Sequence, residues 1–202
     1  MIYKKQLIIC IILITIIPLN LLAQRDSVKF KNDIFSGIYS EVYQQPLTIS
    51  YKVLCPNGNA SRSGMDFYTN DSIKTSDNND YKDNVWDKGH IAPAADFNCD
   101  LVTLRKTFSY LNCVLQHQNL NRGLWRSLET YERSLAKDYD VFVVVDIIFS
   151  SKSKKISTGA TVPDGFIKTL YINGLIAGCY YFPNAPTNKG EVYTDYKVKN
   201  CK

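Results

Sequence analysis

The chain has 202 residues, 45% of them hydrophobic, with 24 Lys and Arg against 19 Asp and Glu for a formal charge of +5. That is single-domain length, sufficient to bury a real core, and the mild positive balance permits attraction to polyanions without itself indicating nucleic acid. Six cysteines and two histidines, with no Cys-x-x-Cys and no His cluster, argue against a structural zinc site.

Residues 1–23 carry Lys4 and Lys5, then an apolar run over 7–22 that ends in Leu21-Leu22-Ala23. This reads as a secretory signal cleaved after Ala23. The run is short for a membrane span of ~20 residues and holds Pro18 and Asn20, and an uncleaved anchor is the alternative. Cleavage predicts a secreted or periplasmic protein with no stable membrane association; losing the two lysines leaves +3. Cys55, Cys99, Cys113, Cys179 and Cys201 remain, which in an oxidising compartment allow up to two pairs and a leftover thiol. Spacing does not fix the pairing; a Cys179–Cys201 link would tie down the tail.

Residues 24–36 are polar and read as a flexible lead-in to a domain over 37–202. Segments 38–43 and 47–54 alternate and carry β-formers, so they are predicted as the first strands. Asp, Asn and Ser dominate 70–84, a loop that delivers the chain to His90. A strand is predicted over 108–115 and a helix over 121–137. The apolar, β-branched run 141–149 reads as a buried central strand that does not alternate with water. Asn173-Gly174 between 166–172 and 175–182 is a two-residue hairpin signal. The predicted fold class is α+β, with an antiparallel sheet core.

The most informative pattern is Asp87-Lys88-Gly89-His90, followed by Asn112 and then by Asn121-Arg122-Gly123-Leu124-Trp125-Arg126-Ser127-Leu128-Glu129, with Arg133 beyond and Arg62 upstream. Taken in order, these residues resemble the DNA/RNA non-specific endonuclease family of ββα-metal, or His-Me finger, nucleases. Val162-Pro163-Asp164-Gly165-Phe166-Ile167-Lys168 resembles a later family segment, so the likeness runs over about residues 39–182. It implies a ββα-metal finger beside the sheet, with His90 as general base and Asn121 as direct metal ligand. It also implies Glu129 on the metal through water, Arg133 and Arg62 on phosphate oxygens, and Asn112 as a brace. The family's usual arginine is Lys88 here, which keeps the charge and loses the planar fork. A changed rate or preference is expected from it.

The chemistry suits these residue types. An imidazole with a pKa near ~6.5 can take a proton from water at neutral pH. Mg²⁺, or another divalent ion such as Mn²⁺, needs only one or two protein oxygens besides phosphate and water. Leu124, Leu128, Tyr131 and Leu135 form an apolar stripe at the helical period. A regular helix places Asn121, Trp125, Glu129 and Arg133 on the opposite, polar side, with Asn121 and Glu129 ~12 Å apart along the axis. Blander readings stand beside these. Asn121 suits a helix N-cap, Glu129 with Arg133 is an ordinary i, i+4 pair, His117 reads as structural or exposed, and Trp125 and the tyrosines read as packing groups. The expected function is a secreted nuclease that cuts DNA and RNA to 5′-phosphate ends without base reading. A nucleic-acid-binding protein with impaired catalysis and a toxin or defence nuclease are the alternatives.

Overall fold

The computed structural model describes residues 25–199. The predicted signal at 1–23 and the Cys179–Cys201 pairing lie outside the described residues. The frame is a six-stranded sheet in which every neighbouring pair is antiparallel. Its strands are β1 (Val28–Lys31), β2 (Phe35–Ser40), β3 (Gln45–Lys52), β6 (Val141–Ile148), β7 (Gly165–Ile172) and β8 (Leu175–Pro183), lying side by side in that order. A separate hairpin pairs β4 (Trp86–His90) with β5 (Cys113–His117), placing His90 opposite Cys113. The excursion between its strands holds the short helix α1 (Leu101–Lys106). After β5 come one helical turn, α2 (Gln118–Leu120), a π-helical turn over Asn121–Trp125, and the helix α3 (Arg126–Leu135). The predicted α+β architecture with a ββα finger is the one found.

Several elements depart from the sequence reading. The lead-in is not loose: β1 pairs with β2 from Val28 to Lys31 and forms the sheet edge. The strand predicted over 108–115 starts at Cys113, and Asn112 ends a 3-10 turn before it. β6 is central, yet it alternates. Val141, Val143, Val145 and Ile147 point into the core while Phe142 is 40% exposed on the other face, the alternation of a strand that buries one side more deeply than the other. Asn173 and Gly174 do form the β7–β8 turn, with φ of 50° and 81°, as a two-residue turn matched to strand twist requires.

The helix differs most. Gly123 has non-helical dihedrals (φ −108°, ψ −106°) inside the π-turn, so a count of 100° per residue from Asn121 loses phase before α3 begins. Leu124 and Leu128 are buried as predicted, with Leu135 packed against the same core, and Trp125 and Glu132 join them on the buried side. Trp125, placed on the polar side by a regular helical count but read as a packing group, does pack: it is fully buried against Phe166 and Phe182, with ring centroids at 5.4 and 5.8 Å. Tyr131, predicted in the core, is 37% exposed.

Cys55 pairs with Cys99 across 44 residues, with Cα atoms 5.3 Å apart, and Cys113 is a buried free thiol. Backbone bonds reinforce the staple, since the amides of Leu54 and Cys55 both donate to the Asp96 carbonyl. Replacing Cys55 and Cys99 by serine should cost about 2–4 kcal/mol through the freed loop, measured by urea unfolding. An unchanged unfolding midpoint would show that the backbone bonds suffice alone.

Candidate active site

β4 and the π-turn meet at a cavity of about 570 Å³. Arg62, Lys88, His90, Asn121, Glu129 and Arg133 all line it, together with Arg122 and Arg126. Asn112 does not. It is fully buried below, where its amide donates to the Ala92 and Thr107 carbonyls and accepts from the Ala92 amide. Those bonds fix the chain as it leaves His90. His117 sits at the far end of the hairpin, buried, with its Nδ1 accepting from the Asn119 amide.

The Gly in Lys-Gly-His has a local cause. A Cβ on Gly89 would come within 2.6 Å of the Gln116 Cβ on the paired strand, so a larger residue would push β4 off β5 and displace its two flanking side chains. His90 is half-buried between aromatic rings, with Phe67 at 4.6 Å and Phe108 at 4.8 Å, the latter edge-on. Its Nε2 is buried without a hydrogen-bond partner, which leaves Nδ1 as the nitrogen that can meet the cavity. Burial, and then the positive charge of Arg62, lower the imidazole to about 3. His90 is therefore neutral at neutral pH, with a free lone pair.

Asn121 Nδ2 donates to Asp87 Oδ2 at 2.9 Å, and Arg122 closes on the same carboxylate at 2.6 and 2.8 Å. Burial opposes ionisation of Asp87, but the bonds from Arg122 and Asn121 hold it below the usual carboxylate range. With its NH₂ committed to Asp87, Asn121 has its amide oxygen unused among the described residues, and oxygen is what a hard cation takes. Glu129 has no hydrogen bond or ion pair among the described residues. Burial, only partly offset by Lys168, pushes its carboxyl up to about 8, with Glu132 and Asp96 adding repulsion.

Beneath the cavity lies a set of charges the sequence reading did not assign. Lys168 on β7 pairs with Glu132 on α3 at 2.8 Å, both fully buried. The Tyr51 hydroxyl donates to Glu132 at 2.9 Å, and the Lys168 ammonium sits 4.3 Å from the Trp125 ring centroid. Arg133 is held to the buried Asp96 at 2.9 Å and donates to Thr130 Oγ1. Burial and repulsion from Glu132 raise Asp96, against the pull of Arg133. Asp96, Glu129 and Glu132 are three carboxyl groups facing two cations, Lys168 and Arg133, and the raised Glu129 and Asp96 reflect that shortage of positive charge as well as burial. A divalent ion would have Asn121 Oδ1 and Glu129 as the groups to hold it, and its charge would favour the ionised form of Glu129. Among the described residues no group of three or more His, Cys, Asp or Glu could cage a metal, so such an ion would keep several waters.

Residues 20–201 match the family model described as DNA/RNA non-specific endonuclease. The chain is 28% identical over 151 residues to mitochondrial endonuclease G of Bos taurus, covering 65% of this chain and 50% of that protein. It is 30% identical over 136 residues to Nuclease C1 of Cunninghamella echinulata var. echinulata, covering 59% and 54%. The chain thus spans about half the length of the curated relatives it matches. Its fold superposes on a protein in a crystal structure of an EndoG/EndoGI complex with a TM-score of 0.73 at 23% identity, covering 84% of this chain and 79% of that one.

Proposed function

The chain belongs to the DNA/RNA non-specific endonuclease family, and from that premise we propose that it hydrolyses phosphodiester bonds of DNA and RNA without sequence specificity. The observation that carries the proposal is the convergence of a neutral imidazole, an uncommitted amide oxygen, an unpaired carboxylate and several cations on one cavity. His90 Nδ1 takes the proton from the attacking water. Asn121 Oδ1 would hold a divalent ion, Mg²⁺ by preference, with Glu129 acting on it through water. When bound, the ion stabilises charge on the phosphate and on the leaving 3′ oxygen. Arg133, fixed by Asp96 and Thr130, aims its remaining N–H groups at phosphate oxygens. Arg62, which lines the same cavity and has no ion pair among the described residues, contributes a second phosphate contact. Contacts confined to phosphate and metal carry little sequence information.

Secretion belongs to the same proposal. The Cys55–Cys99 disulfide supports an oxidising compartment, and the apolar run at 7–22 supports a signal. Among the described residues no helix is long and apolar enough to cross a membrane.

The test is end-group analysis. Incubated with Mg²⁺, DNA and RNA oligonucleotides of scrambled sequence should both be cut at many positions, leaving 5′-phosphate and 3′-hydroxyl ends. Cleavage at one motif only, or 3′-phosphate ends, would contradict the assignment of attacking water and leaving oxygen.

A further inference from the structure

We propose that Lys88, Asp66 and Phe67 form a positioning unit for the imidazole of His90, so that the lysine of Lys-Gly-His works inward on the base and not outward on phosphate. The inference rests on the reading of His90 as the base.

Lys88 and His90 are two residues apart on β4, so their side chains leave the same face of the hairpin. The Lys88 ammonium lies 2.6 Å from Asp66 Oδ1 and also donates to Asn78 Oδ1. Two aromatic faces stand beside it, with Phe67 at 5.8 Å and Tyr110 at 6.0 Å to the ring centroids. An ammonium has three donors; two end on a carboxylate and an amide, and the rings flank what remains. The Tyr110 hydroxyl donates to the same Asn78 oxygen at 2.7 Å, and Asn78 Nδ2 reaches Asp66 Oδ2 at 3.4 Å. Lys88 lines the cavity, but its charge is already spent on its own chain.

Asp66 passes this order on. Its Oδ1 also accepts the backbone N–H of Phe67 at 2.8 Å, and the Phe67 ring lies 4.6 Å from that of His90. The next residue is pinned on both sides, since the Tyr68 amide donates to Phe108 O and the Tyr110 amide to Tyr68 O. Catalytic imidazoles are usually oriented by a hydrogen bond at the second nitrogen. Here Nε2 is buried and unpartnered, so ring packing by Phe67 and Phe108 sets the direction of Nδ1. The Arg105 guanidinium donates to the Asp66 carbonyl and so holds the backbone there, while Lys88 is the cation paired with the Asp66 side chain.

The test compares kcat and KM of the full chain on plasmid DNA and RNA for Asp66→Ala, Lys88→Met, the double variant, Phe67→Leu and Phe67→Tyr, with His90→Ala as reference. Misplacing a base by about 1 Å costs on the order of 100-fold. Asp66→Ala and Lys88→Met should each lower kcat about 10- to 100-fold with KM and salt dependence kept, and the double variant should be no worse than either. Phe67→Leu should behave alike, while Phe67→Tyr keeps the ring and the rate. Asp66 is exposed, so its removal leaves the fold in place. A raised KM and shallower salt dependence for Lys88→Met, beside an Asp66→Ala variant as active as wild type, would make Lys88 a phosphate contact and overturn the inference alone. Additive losses would also overturn it. A His90→Ala variant as active as wild type would overturn the base assignment, and this inference with it.

Discussion

His90→Ala should lose about 100- to 10,000-fold in cleavage rate, the range a positioned general base supplies, while its circular dichroism and unfolding midpoint stay near wild type. The ring packs against Phe67 and Phe108 and makes no hydrogen bond through Nε2, so truncation leaves no polar group stranded. The pH dependence follows from the lowered value of about 3. The unfolded imidazole takes a proton near ~6.5 and the folded one only near 3. His90 therefore contributes stability in full above about 6.5, and loses it as pH falls towards 3. In the rate, measured at saturating Mg²⁺, the acid limb of kcat/KM due to His90 should lie below about pH 5, because that limb reports the free enzyme. A limb at about 6.5 would mean that the imidazole is solvated, contrary to its packing between Phe67 and Phe108.

Lys168→Met should destabilise the fold by about 3–5 kcal/mol, because it leaves the Glu132 carboxylate buried with only the Tyr51 hydroxyl for company. Glu132→Leu should cost less, because the Lys168 ammonium loses its direct partner but keeps the nearby carboxyls of Glu129 and Asp96. Combining the two should recover most of the loss, since replacing a whole buried ion pair by apolar groups is often close to neutral. Urea unfolding of the two single variants and the double decides it. Additive losses would show that each group is stabilised by other partners and that the pair is not the unit beneath α3. Because Glu132 lies between Glu129 and Arg133 on the helix, the same pair fixes the rotation of α3 that points those two at the cavity.

Much of the fold could be read from period and turn chemistry. Asn173-Gly174 marked its hairpin, and the β-branched run marked the central strand β6. The reading failed where a local irregularity broke the period. The extra residue of the π-turn at Asn121–Trp125 shifts α3 against Asn121, so Trp125 and Tyr131 exchanged the sides assigned to them. It also removes the basis for the ~12 Å axial separation, which assumed an unbroken helix. The cavity residues were legible because motif order survives such shifts. Asp96, Glu132 and Lys168 were not, since charged side chains are read as exposed by default. One signal was available. Lys168 alternates in phase with Phe166 and Leu170 on a core-facing strand, and Glu132 continues the Trp125–Leu128 stripe. Two opposite charges in apolar phase call for one another. Asp66 and Phe67 carried no such mark, because their link to His90 is made only when the excursion after β3 folds back onto β4.

The most direct test of the central claim is degradation of supercoiled plasmid and of RNA by residues 24–202, with Mg²⁺, with chelator, and with Mg²⁺ restored after chelation, running His90→Ala in parallel. The account predicts loss of both substrates by the wild type with Mg²⁺, none with chelator, recovery when the ion returns, and no loss in any His90→Ala lane. Degradation that survives chelation, or a folded wild type that leaves both substrates intact with Mg²⁺ present, would contradict a metal-assisted phosphodiesterase centred on His90.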